Sequence, residues 1–460
     1  MKQRNAIIAL PMSEIKSHRK ITLLQASAIN MIDMVGIGPF VVMSIVAARM
    51  NSPAFLWAWV AGAVLSFFDG MIWSELGATF PLAGGSYNFL KESYGEKWGK
   101  LMSFLFVWQT MIQAPLVIAS AAIGFAQYFS YLFPLTELQS KGVSGLLVVL
   151  VIFLLYRKIE TIGKISVMLW VCVILVMLWV IGGGLFHGNF LQPVKQMNEG
   201  FELNGAFASV LGFASVKTVY SYLGYYNVCH LGGDIINPKK NIPRSMFISI
   251  AVIATLYLLM NISVASVLPF DVLKNSRFAV SEFTEMIAGS NTAKVATALI
   301  LLVAFSSVFS ATLGYSRIPY AAAKDGAFFR VFAKLHPTKE FPYISLLALG
   351  AVAFVFSMMI KMESAINGIL AMRIVIQFIG QSAGLILLSK RIGRKNIGWK
   401  MFLYPLPIFI TIAGWIYIFI STGSDMWQNG LKVLALGVVA FIIKSFVLKE
   451  WPFKKDAHTE

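Results

Sequence analysis

The chain has 460 residues, of which 58% are hydrophobic and 13% are charged, and its formal net charge is +17. So high an apolar fraction excludes a soluble domain and predicts an integral membrane protein. The positive charge does not indicate a nucleic-acid partner. Basic runs such as KSHRK and KKNIPR fall in segments expected to be cytoplasmic, which is the positive-inside pattern of membrane proteins, and contact with anionic lipid headgroups is a secondary interpretation.

Apolar segments of about 20 residues, the length that crosses a bilayer, recur along the chain. They predict an all-α fold with twelve transmembrane helices at residues 21–48, 53–80, 95–131, 142–156, 161–186, 206–231, 244–268, 293–315, 342–360, 364–388, 401–421 and 430–448. These spans form one transmembrane domain at residues 21–448. The tails at 1–20 and 449–460 are expected to be cytoplasmic, with the protein in the cell membrane.

Two of the predicted spans are interrupted. The first is broken at residues 36–39 (GIGP), and the sixth contains Gly224 near its middle and a glycine pair at 232–233. The breaks lie five spans apart, an odd number, so the second set of five enters the membrane from the opposite side. This pattern predicts an inverted repeat with a binding site at the midplane. The expected units are repeat one at 21–186, repeat two at 206–388 and two extra helices at 401–448.

A break in a membrane helix leaves N–H groups at the start of one half and C=O groups at the end of the other. The N–H end suits a carboxylate and the C=O end suits an ammonium, so one break can bind both groups of an α-amino acid. Asp33 lies one turn before Ile37, at the carbonyl end. We expect it to contact the substrate amine or to carry a coupled proton; the alternative is a structural pair with a lysine.

Four sequence motifs resemble those of the amino acid–polyamine–organocation (APC) superfamily of transporters. VGIGPF at 35–40 is similar to the G-S-G-[IV]-F motif of the first helix, and SELGATFPLAGGSYNFLKESYG at 74–95 to E-L-x-x-x-x-P-x-x-G-G-x-Y. Residues 220–245 resemble the sixth helix and the N-P-x-x-N-[IL]-P loop, and residues 316–337 resemble the segment after the eighth helix. The resemblance implies a LeuT-like fold and secondary active transport.

The resemblance also indicates where a substrate would bind. Ile37 replaces the small polar residue of the family motif and Pro39 has no N–H, so the backbone at Ile37 and Gly38 is expected to bind the carboxylate. Tyr220 falls where relatives carry the aromatic residue that closes over the substrate, and Tyr226 where some carry Glu or Asn. The predicted substrate-binding residues are Asp33, Gly36, Ile37, Gly38, Tyr220, Tyr222, Gly224 and Tyr226.

Four further charged residues within the predicted spans are candidates either for proton coupling or for a buried structural charge. Lys164 resembles a lysine that takes the place of sodium in some relatives; the alternative is a side chain extended to the cytoplasmic face. Lys217 lies on the same face as Tyr220 and is a candidate to attract a carboxylate, although solvation in a vestibule is the favoured interpretation. Asp69 is a possible partner of Arg373 or of a substrate amine, and Arg373 heads a polar stripe suited to helix packing.

The sequence therefore predicts an amino acid transporter that works by alternating access, as a proton-coupled symporter or an exchanger. A polyamine or cationic-amine transporter is the alternative, because GPF together with Asp69 six residues before Glu75 resembles plant polyamine uptake transporters. A membrane sensor that keeps the broken helices without flux is a third possibility. No acid pair, nucleophile–base set or metal-ligand motif indicates an enzyme, and neither cofactor nor metal is predicted.

Overall fold

The structure is a computed structural model that describes residues 21–82, 84–156, 160–202, 204–339 and 341–452, without the side chains of 160–170 and 172. Its α-helices are α1 (Leu23–Met34), α2 (Gly38–Met50), α3 (Leu56–Thr79), α4 (Ser86–Leu132), α5 (Glu137–Leu155), α6 (Glu160–His187), α7 (Gln192–Gln196), α8 (Gly205–Tyr222), α9 (Pro238–Val267), α10 (Phe270–Asn275), α11 (Ala279–Tyr315), α12 (Arg317–Lys324), α13 (Tyr343–Met359), α14 (Met362–Arg373), α15 (Gln381–Ile392), α16 (Leu406–Ser421) and α17 (Ser424–Val447). A π-helical stretch, Ile374–Gly380, joins α14 to α15.

The remaining ordered turns are 3₁₀ helices at Pro53–Phe55, Asn227–His230, Gly232–Asp234, Arg330–Ala333 and Arg394–Asn396. No strand occurs in the described ranges, where the only β-type pairing is an isolated bridge between Ile21 and Ile235. The predicted all-helical class is therefore confirmed.

Several helices have the length and composition of membrane spans. In the described part of the chain seven are long and apolar enough to cross a bilayer, and the α1–α2 pair makes an eighth if it counts as one span. Large apolar side chains on them are exposed, such as Val295 at 62% and Val447 at 70%. Lipid accommodates such a surface and water does not, so these helices are suited to a multi-pass membrane protein.

The predicted break in the first span is confirmed. Helix α1 ends at Met34, α2 begins at Gly38, and their axes are bent by 50°. Thr22 fixes the start of α1 by a capping box with Gln25. Pro39 is the second residue of α2, where its missing N–H costs no helical hydrogen bond.

The second break lies directly against the first. Helix α8 ends at Tyr222, and the chain runs through two 3₁₀ turns before α9 begins at Pro238. Gly224 has φ +119°, and a Cβ on it would stand 2.7 Å from the backbone carbonyl carbon of Asp33. Only glycine permits both that conformation and that approach. Asn30 joins the breaks again, because its side-chain oxygen accepts the N–H of Val228 at 2.8 Å.

Two long helices, α4 and α11, pack along each other beside the breaks. Each is interrupted near its start by a glycine with positive φ, Gly95 at 75° in α4 and Gly289 at 78° in α11. Thus α4 and α11 both pack beside the breaks, and both contain a glycine that interrupts the helix near its start.

A buried ion pair fixes the segment between α15 and α16 to α3. The carboxylate of Glu75 is fully buried and accepts hydrogen bonds at 2.5 and 2.7 Å from the guanidinium of Arg394. It also accepts the backbone N–H of Met401 at 2.6 Å. The arginine lies over the ring of Tyr404, 3.8 Å from its centroid. A charge so enclosed depends on its partner.

Glu75→Gln should therefore lower the free energy of unfolding by about 3 kcal/mol, because the neutral amide leaves a half-buried guanidinium without its counter-ion. Thermal unfolding of the purified protein in detergent measures the change. Glu96→Gln, an exposed site in α4, is the matched control and should unfold like the wild type. Equal unfolding temperatures for the two variants would contradict a structural role for the pair.

Candidate binding site at the helix breaks

A cavity of about 60 Å³ lies between the two breaks. Its walls come from the end of α1, the start of α2, the end of α8 with the turn that follows, the middle of α4, the last turns of α11, and the end of α14. The predicted substrate residues that line it are Asp33, Gly36, Gly38, Tyr220, Gly224 and Tyr226. Most of the predicted substrate-binding residues therefore lie together around one cavity.

Backbone polarity differs between the two sides of this cavity. Helix α2 begins at Gly38, so the N–H groups of Ile37 and Gly38 have no acceptor one turn earlier. Helix α1 ends at Met34 with carbonyls directed the other way. The site thus combines a donor end and an acceptor end, and the carboxylate of Asp33 adds negative charge to the acceptor end.

Tyr220 and Tyr226 enclose the cavity. The hydroxyl of Tyr220 lies 2.9 Å from that of Ser120 in α4, and its ring passes so close to α2 that a Cβ on Gly38 would stand 3.1 Å from it. Tyr226 stacks on Trp73 of α3, with ring centroids 4.3 Å apart. Both rings are held by neighbouring helices, so the shape of the cavity depends on those contacts.

Arg373 reaches the cavity from the junction of α14 with the π-helical stretch. The side chain is 3% exposed, and its Nε donates to the side-chain oxygen of Gln377 at 2.9 Å. Its guanidinium carbon lies 5.5 and 5.9 Å from the ring centroids of Tyr226 and Phe378. The sequence placed Arg373 in a polar packing stripe. The bond to Gln377 agrees with that, but the position in the cavity was not foreseen.

Two predicted substrate residues do not present their side chains to the cavity. The side chain of Ile37 packs against Gly124 of α4, which leaves only its backbone near the site. Tyr222 points away, donates to the carbonyl of Trp59 at 3.2 Å and packs edge-on against that indole. Helix α8 ends at Tyr222, and the two rings at 220 and 222 leave it in different directions.

The predicted pair of Asp69 with Arg373 is wrong. Asp69 is 1% exposed and accepts hydrogen bonds from the hydroxyl of Tyr225 and, at 3.0 Å, from the indole N–H of Trp415. No lysine, arginine or histidine of the described residues forms an ion pair with it. Asp69 lies behind the cavity, bound to the residue between Gly224 and Tyr226.

The favoured interpretation of Lys217 as a solvated vestibule residue is also wrong. Its side chain is 2% exposed and donates to the amide oxygen of Asn367 and, at 3.3 Å, to the main-chain oxygen of Glu363. The carboxylate of Glu363 lies 3.7 Å away and also binds Arg49 at 2.8 Å. These contacts join α2, α8 and α14 near their ends. The side chain of Lys164 lies outside the described residues.

Tyr257 in α9 was not among the predicted site residues. Its hydroxyl lies 2.8 Å from the carbonyl oxygen of Met34 and 3.1 Å from that of Ser221. One side chain therefore binds the last turn of α1 and the last turn of α8. Its only signal in the sequence is a polar-tipped aromatic in the middle of an apolar span, where a buried hydroxyl needs an acceptor. Ser307, Ser310 and Tyr315 of α11 also line the cavity.

Tyr257→Phe should destabilise the protein by about 1–3 kcal/mol, because it removes the buried hydroxyl donor that the carbonyls of Met34 and Ser221 share. Thermal unfolding in detergent measures this change. Tyr417→Phe is the control, since the hydroxyl of Tyr417 binds the carbonyl of Ala208 at a partly exposed position away from the cavity. If both variants unfold alike, the bridge between the breaks contributes nothing specific.

Comparison with known proteins identifies related sequences over nearly the whole chain. A family model described as amino acid permease matches residues 21–442. The serine/threonine exchanger SteT of Bacillus subtilis (strain 168) is 26% identical over 430 residues, covering 90% of this chain and 94% of its own. The human cystine/glutamate transporter is 24% identical over 443 residues, which cover 94% of this chain and 86% of that transporter. The aspartate-proton symporter of B. subtilis (strain 168) is 23% identical over 406 residues, which cover 84% of this chain and 75% of the symporter.

Proposed function

The chain belongs to the amino acid permease family, and we propose that it is a secondary active transporter that binds an amino acid between its two helix breaks. The observation that carries this proposal is the cavity with unpaired N–H groups at the start of α2, carbonyls at the end of α1, and Asp33 beside them. The α-carboxylate would accept from Ile37 and Gly38. The ammonium would lie near Asp33 and the carbonyls of α1.

Transport would proceed by alternating access in a twelve-span fold in the cell membrane, with both termini cytoplasmic. The inverted repeat at 21–186 and 206–388, with extra helices at 401–448, is supported by the paired breaks and by the matching glycine interruptions of α4 and α11. The bundle containing the breaks would rock against a scaffold that contains these two long helices. Tyr220, at the wall of the cavity, would close the outer path.

A polyamine is a poorer occupant than an amino acid. Arg373 places a guanidinium on the cavity wall, and its charge repels a substrate that carries only ammonium groups. An amino acid instead offers a negative group to the arginine and to the N–H end of α2. The cation in the site therefore favours a substrate that carries at least one carboxylate.

Asp33→Asn should weaken amino acid binding about tenfold or more, because the ammonium loses a charged partner in a buried site. Thermal-shift titration of the purified protein against the standard amino acids, putrescine and spermidine first identifies the ligand. Uptake of that ligand into proteoliposomes then compares the variants. Asp425→Asn, at an exposed position in α17, is the control and should bind and transport like the wild type.

Two results would contradict the proposal. Stabilisation by diamines alone would move the protein to the polyamine alternative. Binding without uptake or exchange, in vesicles where the wild type is correctly inserted, would favour the non-transporting sensor.

For proton coupling, Asp69 is the best-supported group. It is a buried carboxyl whose described partners are neutral donors, and Tyr225 ties it to the turn that lines the cavity. The ionised carboxylate of Asp69 accepts a charge-assisted hydrogen bond from the Tyr225 hydroxyl. A protonated Asp69 has no charge and carries an O–H donor of its own, so its hydrogen bond with Tyr225 is weaker. The other groups near it are Trp73, Tyr226 and, across the Tyr226 ring, the charged Arg373. A proton on Asp69 would thus loosen the second break.

Asp69→Asn, which mimics the protonated state in charge, should abolish accumulation driven by an inward proton gradient and retain exchange of internal for external substrate. Proteoliposomes with an imposed pH difference, with and without a protonophore, distinguish these modes. Glu96→Gln serves again as the control. Wild-type uptake that ignores the pH difference would exclude proton coupling and leave an exchanger. Gradient-driven uptake that persists in Asp69→Asn would transfer the role to another group, such as Lys164 or Asp33.

A further inference from the structure

We infer that Arg373 binds a second acidic group of the substrate, and that the transported molecule is a small amino acid with an acidic side chain. This inference rests on the proposed function, since it assumes that the cavity between the breaks holds the substrate. It adds the class of substrate, which neither the breaks nor Asp33 specify.

The main observation is that most hydrogen-bond donors of Arg373 have no acceptor among the residues that the structure describes. A guanidinium carries five N–H groups. In the described part of the chain only the Nε group has a partner, the side-chain oxygen of Gln377. The two terminal NH₂ groups have no described acceptor, although the side chain is 3% exposed and Arg373 lines the cavity. A guanidinium buried at membrane depth requires a counter-charge and acceptors, so the occupant of the cavity has to supply them.

The side chain is also held in place for this task. The bond to Gln377 fixes the Nε edge, and the rings of Tyr226 and Phe378 contact the guanidinium from 5.5 and 5.9 Å. Phe378 is itself stacked on Trp415 at 3.9 Å between centroids. The π-helical stretch begins directly after Arg373, and such irregular turns occur where a helix presents a functional side chain. The terminal NH₂ groups therefore form a fixed fork that matches a carboxylate.

Asp33 does not supply the counter-charge that the guanidinium of Arg373 requires. It lines the same cavity, but it forms no ion pair with Arg373 or with any other described basic residue. The two opposite charges thus stand apart within one cavity, with room for a bound molecule. An ammonium placed near Asp33 and a carboxylate placed on Arg373 would satisfy both.

A neutral amino acid has only one carboxylate for two anion sites. The backbone N–H groups at the start of α2 and the fork of Arg373 each suit a carboxylate, and they approach the cavity from different helices. An acidic amino acid supplies a carboxylate for each and an ammonium for Asp33. At about 60 Å³ the cavity holds only a few waters or a small solute, which favours a short acidic side chain over a long one.

The experiment compares acids with their amides, which have nearly the same size. Thermal-shift titrations and competition of uptake are measured with L-aspartate, L-asparagine, L-glutamate, L-glutamine and L-alanine. They are run on wild type, Arg373→Gln, Arg373→Lys and the exposed control Arg330→Gln. The wild type and the control should bind the acids about tenfold or more tightly than the amides, because a site built around charged donors rejects a ligand that leaves them unpaired.

Arg373→Gln should lose that preference and bind the acids and the amides within about threefold of each other, and measurable binding of all five ligands separates loss of the fork from loss of the fold. Arg373→Lys retains the charge without the fork and should fall between the two. Equal binding of acids and amides by the wild type, or an acid preference that survives in Arg373→Gln, would overturn the inference and leave the proposed function standing. Failure of every amino acid to bind or to be transported would instead refute the proposed function itself.

Discussion

The rest of this structure depends on a constraint that lipid imposes on the backbone. Inside a bilayer every N–H and C=O needs a partner within the protein, so an interrupted helix persists only where other groups satisfy the freed atoms or where it lines a cavity. Both conditions hold here. Tyr257 binds the carbonyls of Met34 and Ser221, the side chain of Asn30 accepts the N–H of Val228, and residues of both breaks line the cavity.

Aromatic rings separate the two charged residues Arg373 and Asp69 beside the breaks. Arg373 contacts the rings of Tyr226 and Phe378; these stack on Trp73 and Trp415, and Trp415 donates to Asp69. A substrate anion on Arg373 and a proton on Asp69 would therefore act on opposite sides of the same aromatic layer. Such a layer can couple substrate to proton without direct contact between the two, because stacked rings in a packed interior transmit a displacement.

The helix breaks were predictable because glycine and proline within an apolar span are strong local signals. Positions that depend on tertiary packing were not. Tyr220 and Tyr222 were both predicted to bind the substrate, but residues two apart on a helix face different sides, and only the packing of α8 puts the cavity on the side of Tyr220 and Trp59 on the side of Tyr222. Lys217 seemed solvated by its position in the chain, but Glu363 and Asn367 come from a helix about 150 residues away and bury it. Partners this distant cannot be read from one sequence.

The most direct test of the account is whether an amino acid occupies the cavity between the breaks. Ser310→Cys places a thiol on the cavity wall, and its rate of modification by a small water-soluble thiol reagent can be followed by mass spectrometry with and without the transported amino acid. The account predicts that the amino acid slows modification in proportion to its occupancy and that a non-transported amine does not. Unchanged modification at saturating concentrations of an amino acid that the protein transports would place the substrate elsewhere and contradict the account.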